Sequence, residues 1–133
     1  NAATQTMTVV VRGIGLGELG WETSRRVVIK EALVGLANGL IVGLVVWLIV
    51  WIWFWAKLDS ARFGATLGGV LGVTMMLSLF VAGTLGTLIP VLLKRFKVDP
   101  ALASSVFVVA FTDVITFFFY LGIATLLLKQ FKL

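Results

Sequence analysis

One carboxylate, Asp113, stands in the middle of residues 100–128, PALASSVFVVAFTDVITFFFYLGIATLLL, where the other twenty-eight residues are apolar or uncharged. A charge carried to bilayer depth costs at least ~2.5–3.5 kcal/mol, so such a group is ordinarily kept to serve ions, protons or a substrate. On a helix turning by about 100° per residue, with Asp113 at zero, Tyr120 lies at about −20° and Val109 at about −40°. Thr116 follows at about −60°, Ser105 at about −80° and Thr112 at about −100°. Every polar side chain of the central stretch except Ser104 therefore falls in one arc, while Phe107, Val108, Phe111 and Phe118 build the opposite surface. That segregation parts a packed or lipid-facing side from a hydrophilic one, the pattern of a permeation path.

The arc offers only oxygen ligands, which suit hard cations such as Mg²⁺, Ca²⁺ or Na⁺. One carboxylate is too little for a bare divalent ion, whereas two copies about a twofold axis supply two charges. Mg²⁺ gives up water reluctantly, so contacts to its hydration shell fit such a site better than direct coordination. The plainer alternative is an Asp kept for packing, hydrogen-bonded to Thr or Tyr neighbours.

A second polar stripe opens the chain. Asn1, Thr4, Gln5, Thr8 and Arg12 share one helical face, with Met7, Val9, Val10 and Val11 around much of the rest. The stripe is either the wetted side of a terminal helix or a set of amides and hydroxyls presented to a water-filled path. Asp99-Pro100 reads as a helix start, with Asp99 as N-cap and Pro100 at the first helical position. Asp99 also stands at the mouth of the last helix, where it would attract cations. Four glycines within residues 13–20 indicate a loop or a broken helix end, and they lack the lysine and strand–turn–helix setting of a phosphate loop. No cysteine and no histidine occurs, which removes disulfides, thiolate metal sites and the usual near-neutral acid–base group. Intramembrane aspartyl proteolysis would need two facing aspartates, and only one lies at depth. The chain is not expected to be an enzyme.

The elements that must carry these residues are membrane helices. Hydrophobic residues make up 60% of the chain and charged residues 13%, and the mean hydropathy is +1.11. A soluble domain of that balance would expose a large, aggregation-prone surface. Residues 32–56, 63–93 and 100–128 each exceed the ~20 residues that a helix needs to cross the hydrocarbon core. A shorter run, residues 1–11, would reach only part of the way. The fold class expected is all-α, a polytopic bundle forming one transmembrane domain, with segments at about 1–17, 24–55, 62–93 and 99–129. The opening, without Met or a secretory leader, is expected to belong to a longer polypeptide.

Gly35, Gly39 and Gly43 recur every fourth residue in the second segment, and Gly64, Gly68 and Gly72 in the third. Small residues at that spacing make a groove for close helix approach, with a ligand role as the alternative. Trp47, Trp51, Trp53 and Trp55 look like an interfacial anchor. Residues 21–31 mix charges with apolar residues and are expected to lie along the headgroups before turning into the second span. The third span is expected to end at Pro90. Of the basic residues, Arg12, Arg25, Arg26, Lys30, Lys94, Arg95 and Lys97 fall on one side of the membrane, and Lys57, Arg62, Lys129 and Lys132 on the other. Seven against four places the first group in the cytoplasm and the C-terminus outside. The formal charge of +5 thus reflects topology and not a nucleic-acid partner.

The stretch IPVLLKRFKVDPALASSVFVVAFTDVITFFFYLGIATLLL resembles the last membrane helices of the MgtE family of magnesium channels. The opening NAATQTMTVVVRG resembles that family's second membrane helix, usually written Gly-Asn-Ala-Gly-x-Gln. The order and spacing of the intervening spans agree, so the resemblance covers essentially the whole chain. It implies a homodimer in a bacterial inner membrane, five membrane helices per subunit, and a pore at the dimer interface lined by the segments 1–17 and 100–128. It further implies that Asp113 is the pore aspartate that binds hydrated Mg²⁺, that Ser105 matches a pore position often held by Asn, and that Asp99 lies at the cytoplasmic end of the pore. Mn²⁺, Co²⁺ or Ca²⁺ are the other ions such a site would take. Thr112, Thr116 and Val109 come from helical geometry alone. Ala3 stands where the family tends to have Gly, and the family's first membrane helix and cytosolic sensing domains have no counterpart in these residues. The alternative function is a proton- or sodium-coupled secondary transporter with Asp113 as the coupling carboxylate; a passive assembly module would leave Asp113 without a role.

Overall fold

The computed structural model describes residues 2–18, 20–99 and 105–131. Four helices follow one another: α1 (Ala2–Gly15), α2 (Trp21–Leu58), α3 (Ala61–Arg95) and α4 (Ser105–Phe131). Among the described residues there is no strand, and the fold is all-α. Three stretches, Glu22–Lys57, Ala61–Arg95 and Val106–Leu126, are long and apolar enough to cross a membrane.

The helix ends follow from local chemistry. Glycine is needed at position 17, where φ is 72°. There the backbone N–H of Gly17 donates to Ile14 O (3.0 Å) and that of Glu18 to Gly13 O (3.1 Å), which closes α1 with the paired bonds of a Schellman turn. Gly13 and Gly15, expected in a loop, lie within α1. The same pair of bonds closes α3, with Lys97 N–H to Lys94 O (3.0 Å) and Val98 N–H to Leu93 O (2.9 Å). Here Lys97 takes the left-handed conformation at φ 57° without being glycine. α2 and α3 are joined by Asp59 and Ser60 alone, Asp59 being left-handed at φ 47°, so the two form a tight antiparallel hairpin.

Two expectations about the spans give way. α2 runs unbroken through its 38 residues, so residues 21–31 do not turn along the headgroups. No proline interrupts it, and at ~1.5 Å per residue it far outreaches the ~30 Å hydrocarbon core. Its charged first three turns, with Glu22, Arg25, Arg26 and Lys30, therefore extend the same axis beyond the apolar run. α3 likewise passes through Pro90 and ends at Arg95. The proline removes one bond of the ladder, to Gly86, a loss that membrane helices tolerate when neighbours pack around it; Pro90 is fully buried.

α3 is the centre of the bundle. Of its apolar window 33% is buried within the chain, against 11% for those of α2 and α4. Its N-terminal half meets α2 through glycine. A Cβ on Gly35 would stand 2.5 Å from Leu79 O, one on Gly39 2.7 Å from Met76 Cα, and one on Gly43 2.5 Å from Gly72 O. From the other side, a Cβ on Gly68 would meet Trp47 Cδ1 at 2.9 Å, and one on Gly64 would meet Phe54 Cβ at 2.6 Å. Trp47 is accordingly more than an interfacial anchor. It packs across Gly68, donates its indole N–H to Ala65 O (3.1 Å), and stacks on Trp51 with ring centres 6.0 Å apart. Trp51, Trp53 and Trp55 remain exposed. The C-terminal half of α3 meets the other helices. Ala3 and Met7 of α1, Ala82 of α3 and Val108 of α4 form one buried cluster, and Val10 and Val91 a second, joined by Ile14 and Val27.

Gly72 and Gly69 share α3 but differ in surroundings: a Cβ on Gly72 would meet Gly43 O at 2.7 Å, and one on Gly69 meets nothing within 4 Å. Gly72→Ala should destabilise the bundle by about 1–3 kcal/mol through overpacking. Gly69→Ala should be neutral or stabilising by up to about 1 kcal/mol through helix propensity. Thermal loss of helical circular dichroism in detergent would rank them, and equal melting of the two variants would refute the contact.

Candidate cation site

The last helix is seated by Val108, only 1% exposed and locked into the cluster with Ala3, Met7 and Ala82. Val108 therefore takes the packed part of the surface on which the helical arc groups it with Phe107, Phe111 and Phe118. Those three are exposed, Phe118 to 80%. Thr112, one turn after Val108, is also buried, and its hydroxyl donates to Val108 O (2.8 Å). Thr116 is half-buried and donates to Thr112 O (2.8 Å). The face of α4 that meets α1 and α3 is thus centred on Val108 and Thr112. Asp113, about 100° further round the helix, is exposed, and Val109 and Tyr120 are half-buried at the edge of the contact. The polar arc is split: its hydroxyl flank packs inside the chain and its carboxylate points out of it.

α1 behaves similarly. Ala3, Met7 and Val10 face inward, whereas Gln5, Thr8 and Arg12 are exposed and Thr4 is half-buried. The Thr8 hydroxyl donates to Thr4 O (2.9 Å). Ala3 owes its close seat to α3: a Cβ on Gly86 would stand 2.6 Å from Ala3 O, so the small residue that brings the two backbones together lies on α3. Asn1 lies outside the described residues, as do residues 100–104 of the expected helix start and the side chain of Ser105, whose backbone opens α4. Asp99 is exposed in the connection before them.

The site chemistry is therefore sparse. Among the described residues no three His, Cys, Asp or Glu side chains gather to hold a metal. Asp113 is the one carboxylate of the α4 span, and it has no hydrogen-bond partner among the described residues. Such a group can attract a cation through its water shell, and a tighter site needs oxygen from elsewhere.

One polar cluster went unremarked in the sequence. Gln5 lines a cleft of about 240 Å³ together with Thr6, Glu31 and Asn38, over Gly35 and Gly83. The Thr6 hydroxyl donates to Glu31 Oε2 over a long 3.5 Å. The signal was present in the spacing of Glu31, Gly35 and Asn38 at i, i+4 and i+7 on one helical face. It was masked because Glu31 closes a charged stretch and Asn38 sits among glycine and leucine.

Comparison with known proteins identifies the family. Residues 1–123 match the model of the MgtE family, described as a divalent cation transporter. The chain is 35% identical over 129 residues to the magnesium transporter MgtE of Thermus thermophilus, covering 97% of this chain and 27% of that protein. It is 30% identical to the MgtE transporters of Bacillus subtilis, covering 94% of this chain and 26% of the relative, and of Enterococcus faecalis, covering 98% and 27%. The chain thus spans about a quarter of the length of these relatives. The family is one of transporters and not of enzymes, and the three apolar helices make this an integral membrane protein. The chain belongs to the MgtE family of divalent cation transporters.

Proposed function

We propose that this chain forms the membrane path of a Mg²⁺ channel, working as a homodimer with the path between the two copies. The observation that carries the reading is the outward aim of Asp113 at mid-helix, on a flank of α4 that α1, α2 and α3 leave uncovered. A carboxylate left facing lipid is costly. A second copy about a twofold axis would relieve that cost by placing two carboxylates across one water-filled passage. The exposed stripe of α1, Gln5, Thr8 and Arg12, then lines the same passage, with Val109 and Thr116 bordering Asp113. Ser105 and Asp99 mark its other end. Thr112, turned into the contact with α1 and α3, holds the helix in place.

Two carboxylates match the charge of one M²⁺ without stripping its water, and Mg²⁺ holds six waters firmly enough to be recognised by its shell. Mn²⁺, Co²⁺ and Ca²⁺ share the hard-oxygen chemistry and compete at the same place. With the basic group Arg12, Arg25, Arg26, Lys30, Lys94, Arg95 and Lys97 in the cytoplasm and the C-terminus outside, the membrane is the bacterial plasma membrane. An inside-negative potential supplies about 2.3 kcal/mol per charge per 100 mV, and twice that for a divalent ion, so the flux runs inward.

In proteoliposomes of the full-length protein, Asp113→Asn should lower Mg²⁺ uptake by roughly an order of magnitude or more while leaving folding intact. Uptake equal to wild type would return Asp113 to a packing role, and strict exchange kinetics would favour a carrier. The dimer makes its own demand. Phe117, on the Asp113 flank, and Phe118, about 100° away, are both exposed. In a cysteine-free background a short bis-maleimide should capture Phe117→Cys as a dimer far faster than Phe118→Cys. The opposite order would place the interface elsewhere.

A further inference from the structure

A half-open cleft between α1, α2 and α3 gathers four polar side chains, the exposed Gln5 and Asn38 and the half-buried Thr6 and Glu31, and it shares only Gln5 with the proposed path along α4. Two side chains come from α1, Gln5 and Thr6, and two from α2, Glu31 and Asn38. Gly35 and Gly83 form its floor, and both are required there. A Cβ on Gly35 would strike Leu79 O at 2.5 Å, and one on Gly83 would strike Glu31 O at 2.6 Å. The α3 backbone is therefore pressed against α2 at the level of the carboxylate, which fixes Glu31 between three helices.

Glu31 lacks what a structural carboxylate at this depth normally has. It is half-buried where the apolar run of α2 begins, no Lys or Arg lines the cleft, and its hydrogen bond from Thr6 is long at 3.5 Å. Asn38 and Gln5 have no hydrogen-bond partner among the described residues. Four side chains thus offer a carboxylate, a hydroxyl and two amide oxygens, the donor set of a hard cation. The cleft, about 240 Å³, is far too roomy for a bare ion. It is large enough for the six waters of a hydrated one, at about 30 Å³ each.

We propose that this cleft is a second cation site, one per chain, holding a hydrated divalent cation against Glu31 while Gln5, Thr6 and Asn38 contact its water shell. The position rests on the cleft itself; the choice of a divalent ion rests on the transport reading. The site is separate from Asp113, since it is built within one copy and needs no partner. Gln5 stands at the border of this cleft and the Thr8–Arg12 stripe, so an ion held here touches the helix that lines the path.

The test reads protection and not transport. Val34 lines the cleft and is 43% exposed, and these 133 residues contain no cysteine. Full-length protein carrying Val34→Cys as its single cysteine is placed in nanodiscs and labelled with neutral N-ethylmaleimide. Mg²⁺ is compared with Na⁺ and choline at equal ionic strength. Mg²⁺ at ten times its dissociation constant should slow labelling roughly tenfold, with little effect of Na⁺ or choline. Glu31→Gln should abolish that protection, Asn38→Ala should weaken it with the carboxylate intact, and Asp113→Asn should leave it unchanged. If Glu31→Gln does not fold, Asn38→Ala carries the test alone. Labelling insensitive to Mg²⁺, equal slowing by choline, protection surviving Glu31→Gln, or full protection in Asn38→Ala would each overturn the site. Stronger protection by Na⁺ would overturn its divalent character. Mg²⁺ uptake measured on the same preparation separates the two readings: uptake without protection sinks the cleft site alone, and absence of uptake sinks the transport reading and with it the choice of ion.

Discussion

Lipid tails are as apolar as leucine, so two membrane helices gain little from burying apolar side chains against each other. What holds α2 to α3 must come from how closely their backbones approach. That approach is set by glycines facing backbone atoms: Gly35 at Leu79, Gly39 at Met76, Gly43 at Gly72, and Gly68 at Trp47. Each contact lies where a methyl group would have no room. The hairpin made by Asp59 and Ser60 keeps the two helices in register, and the indole bond from Trp47 to Ala65 O ties them near the hairpin end. Every other helix takes its position from this pair.

α3 uses its small residues twice. Its N-terminal half offers Gly64, Gly68 and Gly72 to α2, and its C-terminal half offers Ala82, Gly83 and Gly86 to α1, α2 and α4. Gly86 admits the α1 backbone at Ala3, and Ala82 leaves space for Val108. Once Val108 is seated, the direction of Asp113 is no longer free. Five residues further on, the helix has turned by about 140° beyond a full rotation, which carries the carboxylate away from α1 and α3, the two helices that hold α4. The chemistry of the site thus depends on a packing contact between an alanine and a valine that carry no charge.

How much of this the sequence disclosed depended on whether a physical rule distinguishes the sides of a helix. The spans were legible because their length and apolarity have no other use. The every-fourth glycines on α2 and α3 were legible because close approach needs them. Facing directions on α4 were not, since valine is equally content against lipid or protein; Val108 and Phe118 have the same character and opposite surroundings. Thr112 misled for a related reason: a threonine can satisfy its hydroxyl on its own helix and then pack like a valine. The unbroken course of α2 through residues 21–31 was obscured by its charges, which mark where the apolar run begins and not where the helix does.

Most hydroxyls are already taken up within their own helices. Ser24, Thr74, Ser78, Thr87, Thr112 and Thr116 all donate to a carbonyl four residues earlier in the chain. No buried side-chain nitrogen or oxygen among the described residues is left without a partner. These polar groups are consumed by the fold, because in a low-dielectric interior an unpaired donor costs more than any small gain it could offer an ion. Gln5, Asn38 and Asp113 are not consumed in this way, and Glu31 is so only by a long contact. They are the groups whose hydrogen-bonding capacity points outside the bundle. A cation with its water shell is a partner that can meet a carboxylate or amide oxygen there without requiring the helices to move.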